Sequence, residues 1–420
     1  MPRVLEPVIE KKLRTKGCVV IEGPKWCGKS TTAARYANTI VDFGEKSVRT
    51  LYQTYSDMGD PNLFKGEKPL MFDEWQLIPE LWDSVKIQVD KLGLRGQFIL
   101  TGSATPPEDP NHPGTGRIAK LTMRPLSLWE SGESTGEVSL SDLFSGAAKI
   151  QGTNAHTLDK LAYLICRGGW PEIMIDTEED ALDAAHDYVD TLLSKDITKL
   201  MGVKCDPQRA AAILKAYARG ISQPTKLSTL KGDVAANDDT IDPRTLGSYI
   251  TAFERLFVVE DVKSWSPSLR SKSAIRAANI RQFIDPSIAA AALGIAPSDL
   301  VKDLRTFGHM FESLAVRDLR VYAESMGAKV YQFHDESGLE VDIIIHFLTG
   351  PMSGKWGAIE IKLGSDDLIN EGATSLVKLK NKIDEKNMNP PSFLMVVTGR
   401  QDAYTRPDGV VVVPLACLKN

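Results

Sequence analysis

Three groups of residues in this chain have types and spacings that can do chemistry. Gly23-Pro24-Lys25-Trp26-Cys27-Gly28-Lys29-Ser30 fits G-x-x-x-x-G-K-[ST], a spacing in which glycines let the backbone curl its N–H groups around a phosphate. Lys29 would reach the β- and γ-phosphates and Ser30 would hold Mg²⁺, with Thr31 next to it in the same nucleotide-binding set. Leu70-Met71-Phe72 ends in Asp73-Glu74, where Asp73 would bind Mg²⁺ through water and Glu74 would polarise the attacking water as a general base. Further on, Asp342, Glu360 and Lys362 offer two carboxylates and an ammonium, the residue types of a divalent-cation site with a cation to orient or deprotonate water.

Each group needs elements to position it. The apolar residues 17–22 predict a strand into the glycine loop, and residues 29–43 a helix out of it, whose N-terminus adds its dipole to the phosphate site. A second strand is expected at 48–52. Residues 69–74 read as a buried parallel strand with acids at its C-terminal edge, where ligands sit in open α/β sheets. A helix over 78–92 leads to another buried strand, 97–103, ending in hydroxyls. There Thr101 or Ser103 either contacts the γ-phosphate or the attacking water, or simply satisfies the strand end. The loop 104–116, rich in Pro and Gly, delivers Arg117, and Arg124 lies on the next strand-like run, 121–126. Either arginine is a candidate to stabilise phosphoryl charge, from its own or a neighbouring subunit, against the commoner solvated surface arginine. Cys27, inside the loop near Lys29, is either a reactive thiol or, the commoner case, a small residue at a free loop position.

The middle of the chain is loop-rich over 130–158 and helical over 158–166. Arg167-Gly168-Gly169-Trp170-Pro171 then stops the helix and reverses the chain. A helix over 178–200 carries Asp187, Asp190, Lys195 and Asp196 on a solvated face. Residues 207–262 have a winged helix-turn-helix pattern. Ala210, Ile213, Leu214 and Tyr217 mark the first helix, 225–230 the second, and Asp242-Pro243 starts a third that buries Leu246, Tyr249, Ile250 and Phe253. Residues 256–262 are the expected wing, and Arg244, Thr245, Ser248 and Arg255 the exposed face, either a modest DNA-reading surface or, given the segment's near-balanced charge, a protein contact. From 263 to 281 the chain carries Lys263, Arg270, Lys272, Arg276 and Arg281 and no acid, a run that either neutralises phosphates or is a soluble linker. A small Ala-rich helix follows, ending near Gly294.

The last third reads as a helix over 303–326 carrying Glu312, then strands at 328–333, 338–345 and 357–362, with more at 393–397 and 410–413. Residues two apart in a strand share a face, so Glu360 and Lys362 point together, and an antiparallel neighbour would bring Asp342 alongside. His309 and His346 read as structural.

Composition narrows the classes. A chain of 420 residues with 25% charged residues suits a globular protein of two to four domains, and its net charge of −5 gives no bulk attraction for nucleic acid. The 5 cysteines include no C-x-x-C pair, which argues against a disulfide framework or a zinc site. The N-terminal residues lack an apolar signal core and no apolar run reaches membrane-spanning length, so the expected location is the cytoplasm, with no membrane partner.

The loop, the acid pair and the strand with terminal hydroxyls resemble the AAA+ and related ASCE-type ATPases. Arg167 to Pro171 resembles the GGxP element of the archaeal-type ATPases allied to AAA+ and STAND proteins. The ordered set Glu312, Asp342, Glu360 and Lys362 resembles the PD-(D/E)XK nuclease core, with Glu312 as the extra helical acid. As a whole, the chain resembles prokaryotic ATP-binding proteins with a winged helix and a C-terminal PD-(D/E)XK-like domain of unknown function. The resemblance implies an α/β fold in five parts: a P-loop parallel-sheet ATPase domain (1–135), a helical lid (136–206), a winged helix (207–265), a basic linker with a small helix (266–299) and a restriction-endonuclease-like domain (300–420). It implies an ATPase using ATP and Mg²⁺. Glu74, Asp342, Glu360 and Lys362 would be catalytic, and Gly23 to Thr31, Ser103 and Arg117 would bind nucleotide. Ser30, Asp73, Glu312, Asp342 and Glu360 would be metal ligands, the last three for Mg²⁺ or Mn²⁺. DNA and a homo-oligomer are the further partners considered. Whether the nuclease chemistry is intact, or the C-terminal domain serves as a silent binding platform for an ATP-driven switch, the residues leave open.

Overall fold

Helix α1 (Glu6–Thr15) lays Ile9 against β1 (Cys18–Glu22), a strand buried along its whole length. Alternate residues of β1 enter different cores: Val19 and Ile21 join Ile9, Ala33 and Met71, while Cys18 and Val20 join Phe72, Trp82 and Phe98. Burial on both faces is what a parallel sheet between two helical layers requires. The loop 23–28 leads to α2 (Lys29–Ala34), β2 (Thr39–Asp42), α3 (Lys46–Met58), β3 (Leu70–Asp73), α4 (Leu81–Leu92), β4 (Phe98–Gly102) and β5 (Ile118–Thr122). The sheet is parallel throughout, in the order β2-β3-β4-β1-β5.

Two expectations are corrected here. Residues 48–52 lie in helix α3, where Val48, Tyr52 and Tyr55 recur at helical spacing and turn one face to the core. The strand is instead β2, so the helix expected over 29–43 stops at Ala34. The strand between β1 and β3 is β4.

The structure is a computed structural model describing residues 2–105, 116–202, 205–235, 241–267, 278–384, 386 and 388–420. The parallel sheet belongs to a unit of Pro2–Pro125 with Ala252–Phe257, and the remainder, Leu126–Thr251 with Val258–Asn420, forms a second unit.

In chain order the rest comprises β6 (Val138–Ser139), α5 (Leu140–Ser145), β7 (Gly152–Thr153), α6 (Leu158–Arg167), α7 (Glu178–Thr191), α8 (Ile197–Met201), α9 (Pro207–Arg219), α10 (Leu227–Ala235) and α11 (Pro243–Arg255). There follow β8 (Ser264–Trp265), α12 (Pro286–Leu293), α13 (Pro297–Lys302), α14 (Leu304–Ser325), β9 (Lys329–His334), β10 (Glu340–His346), β11 (Trp356–Lys362), α15 (Asp366–Lys382), β12 (Leu394–Thr398), β13 (Asp402–Thr405), β14 (Val411–Pro414) and β15 (Leu418–Lys419). An eight-stranded sheet runs β7-β13-β14-β12-β11-β10-β9-β8, and a small parallel pair joins β6 to β15. The helix read over 178–200 is divided by a π-turn at Leu192–Asp196. Among the described residues, 256–262 make two isolated antiparallel bridges, Val259 to Phe283 and Val262 to Ile280.

The second unit is tied by a buried polar network. The Arg317 guanidinium donates to Asp285 at 2.9 Å and to Asp318 at 2.8 Å, with both carboxylates fully buried. Asp285 also accepts the Gly169 N–H at 3.1 Å, and Asp318 the Leu128 N–H at 2.9 Å. Trp170 donates its indole N–H to Ser287 at 3.1 Å. A Cβ on Gly169 would lie 2.2 Å from the Leu126 carbonyl oxygen, so only glycine fits. Arg167-Gly168-Gly169-Trp170 is thus more than a turn: it docks on Asp285 and Ser287 at the start of α12.

Candidate functional site

The nucleotide loop lies at the C-terminal edge of the parallel sheet. Asp73 ends β3 opposite Thr101 of β4, and Thr101 is opposite Ile21 of β1, so register brings the three strand ends to one edge. The Ser30 hydroxyl donates to Asp73 Oδ1 at 2.8 Å, and Thr101 donates to the same oxygen. Thr101 therefore holds Asp73. A hydroxyl and a carboxylate this close are hard oxygen donors suited to Mg²⁺.

Glu74 follows with φ 57° and ψ 41°, left-handed values uncommon for a residue with a side chain. Its Oε2 accepts from the Ser103 hydroxyl at 3.0 Å and from the Gln76 amide. Ser103 thus stands beside the proposed general base. The sequence reading missed Gln76, whose position two residues after Glu74 was the available signal. Gly102 leaves room for these side chains: a Cβ there would lie 2.7 Å from Gln76 Oε1 and 2.9 Å from the Trp75 indole nitrogen.

Lys29 is buried and donates to the Pro24 carbonyl at 2.6 Å. Trp26, at φ 64°, is the exposed residue of the loop. Cys27 is fully buried with its thiol on the Met123 carbonyl at 3.3 Å, so its position in the loop is a packed one. Arg117 is not brought to the loop. It sits at the N-terminal end of β5, where its carbonyl accepts the Gly17 and Cys18 N–H groups and its side chain pairs with Asp90 of α4. Arg124 follows the other end of β5 and lies on the loop's edge of the sheet.

In the second unit, β10 and β11 are antiparallel, with Ile343 opposite Ile359 and Ile344 opposite Ala358. Continuing this register sets Asp342 against Glu360. Asp342 Oδ2 accepts the Ile361 N–H at 2.7 Å, and Lys362 Nζ lies 2.7 Å from Glu360 and 3.6 Å from Asp342. Gly372 of α15 lets that helix approach: a Cβ there would meet Glu360 Cβ at 3.1 Å and Lys362 Cε at 3.3 Å. Burial, with the charge of Asp342, pushes the Glu360 and Glu312 carboxyls well above the usual range. Burial alone would lower the Lys362 ammonium, but Asp342 and Glu360 outweigh it and hold the ammonium above its ordinary value.

Two clefts meet at Lys362. One, of about 750 Å³, is lined by Glu340, Asp342, Glu360, Lys378 and Lys382, and the other, of about 720 Å³, by His309, Glu312, Leu304 and Leu368. The three acids expected to share an ion are not gathered into one cage, since Lys362 bridges Asp342 and Glu360. Among the described residues no group of three or more carboxylate, imidazole or thiol side chains is arranged for a metal. The Asp342–Glu360 pair still offers the oxygen donors that suit Mg²⁺ or Mn²⁺.

Other expected contacts fall elsewhere. His346 accepts the Trp265 indole N–H at 3.2 Å, a structural role. Arg281 is committed to Asp261 at 2.6 Å, and Arg255 donates to the Thr105 carbonyl at 2.8 Å, so neither is a free basic contact. Arg270, Lys272 and Arg276, and residues 106–115 of the expected loop, lie outside the described residues. Among the described residues no helix is long and apolar enough to cross a membrane.

Comparison with known families matches residues 15–131 to a family described as "AAA domain", residues 158–299 to "Domain of unknown function (DUF8612)" and residues 307–418 to "Domain of unknown function (DUF4143)". No curated protein matches. Solved structures similar to this chain include the Walker-type ATPase paby2304 of Pyrococcus abyssi, at 15% identity and TM-score 0.43 over 68% of this chain and 94% of that one. The replication initiator DnaA bound to AMPPCP and single-stranded DNA follows at 12% identity and TM-score 0.25, covering 60% and 86%. Drosophila ORC bound to DNA is similar at 13% identity and TM-score 0.16, covering 69% and 85%. The AAA match spans the loop, Asp73, Glu74 and Ser103, and supports an ATP-binding ATPase.

Proposed function

We propose that this protein is a Mg²⁺-dependent ATPase whose nucleotide cycle controls a metal-dependent DNA nuclease or DNA-binding module at its C-terminal end. Backbone N–H groups of Lys25 to Ser30 would hold the phosphates, and Ser30 with Asp73 would hold Mg²⁺. Glu74, oriented by Ser103 and Gln76, takes a proton from the attacking water. The observation that carries the nuclease reading is the meeting of Asp342, Glu360 and Lys362 on adjacent strands at a polar cleft. A divalent ion there would supply charge stabilisation for a phosphodiester. Asp342 and Glu360 would hold the ion, and Lys362 would orient water. The helix-turn-helix pattern of 207–262 and the PD-(D/E)XK resemblance of the C-terminal part belong to the same reading.

One observation favours a second reading. The Lys362 ammonium is already paired with both carboxylates, as it would be in a silent nuclease-like platform used by an ATP-driven switch. Plasmid and branched DNA incubated with Mg²⁺ or Mn²⁺ separate the two. The nuclease reading expects cleavage that Asp342→Ala abolishes. Cleavage indifferent to that substitution, or none on any substrate, rejects it and leaves the switch.

A further inference from the structure

A phosphate cradle needs its N–H groups turned inward, so its carbonyl oxygens must find partners on the outside. In this loop the Pro24 carbonyl takes the Lys29 ammonium. The Cys27 carbonyl takes a residue that no motif marks. Arg3 is buried, with 6% of its surface exposed, and its guanidinium donates to the Cys27 and Arg124 carbonyls, each at 2.7 Å.

The Cys27–Gly28 peptide is trans, since among the described residues only Lys68–Pro69 is cis. In a planar trans peptide the C=O and N–H point in opposite directions. Holding the Cys27 oxygen against Arg3 therefore turns the Gly28 N–H the other way. Gly28 sits at φ 90°, a value that suits glycine and lets the chain turn into α2 there. With α2 only 6 residues long, its dipole is a small aid, and the loop's own N–H groups carry more of the anion binding.

Arg3 is itself held. Its backbone N–H donates to Glu6 at 2.8 Å, and Glu6 also accepts from Arg35 at 2.9 Å and Tyr36 at 3.3 Å, both just beyond α2. The chain before α1 is thereby fastened to the far end of the element the loop feeds. A forked guanidinium suits two carbonyls from different segments, where an ammonium is a single point donor.

We propose that Arg3 is a positioning residue for nucleotide phosphates. It fixes the Cys27–Gly28 peptide with its N–H toward the ligand and joins the loop to the Arg124 segment after β5. This deepens the ATP-binding reading and does not depend on the nuclease one.

The test uses the full chain. Calorimetric titration with ATP and with inorganic pyrophosphate compares wild type, Arg3→Ala and Arg3→Lys, with circular dichroism melting of each. Losing charged hydrogen bonds in a folded Arg3→Ala should weaken both ligands by about 10–100-fold, and Arg3→Lys by about 3–10-fold. Unchanged pyrophosphate affinity in a folded Arg3→Ala overturns the proposal. Should Arg3→Ala fail to fold, Arg3→Lys decides: weaker binding with an unshifted melt supports the role, and wild-type affinity overturns it. Wild-type protein that binds neither ligand would instead refute the ATP-binding reading itself.

Discussion

At the scale of single residues, the nucleotide chemistry rests on hydroxyl–carboxylate pairs at the sheet edge. Ser30 and Thr101 converge on one oxygen of Asp73, while Ser103 and Gln76 converge on one oxygen of Glu74. Adjacent acids are thus given separate partners, which suits the separate tasks proposed for them. Glu74→Gln removes the proton acceptor but keeps the shape, so ATP binding should persist while phosphate release falls by about 10²–10⁴-fold. Equal phosphate release from wild type and Glu74→Gln would refute the role assigned to Glu74. The acid pair was legible in the sequence because it ends an apolar run. Its partners are less so: Gln76 has no motif, and nothing in the spacing tells that Thr101 meets Asp73 while Ser103 meets Glu74.

At the scale of elements, charged residues inside apolar patterns mark where parts are joined. Helix α14 buries Phe307, Met310, Phe311 and Leu314, and on the same buried length carries Arg317 and Asp318. The sequence offered the signal, two charged residues within an otherwise packed helix, but not the partners, which lie more than a hundred residues away for Leu128 and in the loop before α12 for Asp285. Arg317→Ala would leave Asp285 and Asp318 buried without their cation. Breaking a buried pair in this way costs about 3–5 kcal/mol, so chemical denaturation should show the second unit strongly destabilised or unfolded. A loss below about 1 kcal/mol would show that the network is not structurally important. The residues at 48–52 teach the converse: Val48 and Tyr52 are good strand formers, yet their spacing with Tyr55 fits a helix face, and packing outweighed propensity.

At the scale of the whole molecule, the chain crosses between its two units after Pro125, Thr251 and Phe257. If nucleotide acts as the controlling input, DNA cleavage or binding by wild type should differ at least about tenfold between ATP and no nucleotide, the size of an ordinary coupling energy. The Lys29→Ala variant, which removes the ammonium proposed to meet the β- and γ-phosphates, should show one rate in both conditions. A wild-type rate indifferent to ATP would separate the two activities and end the control hypothesis.

The sequence by itself determined the local chemistry: a glycine loop between strand and helix, acids ending an apolar strand, and an alternation that faces Glu360 and Lys362 the same way. Those features are fixed by spacing along the backbone. Only the tertiary structure decided strand order, the separation of Arg117 from the loop, the pairing of Lys362 with both Asp342 and Glu360, and the hold of Arg3 on Cys27. Each of these depends on residues distant in the chain meeting in space, and no periodicity records such a meeting.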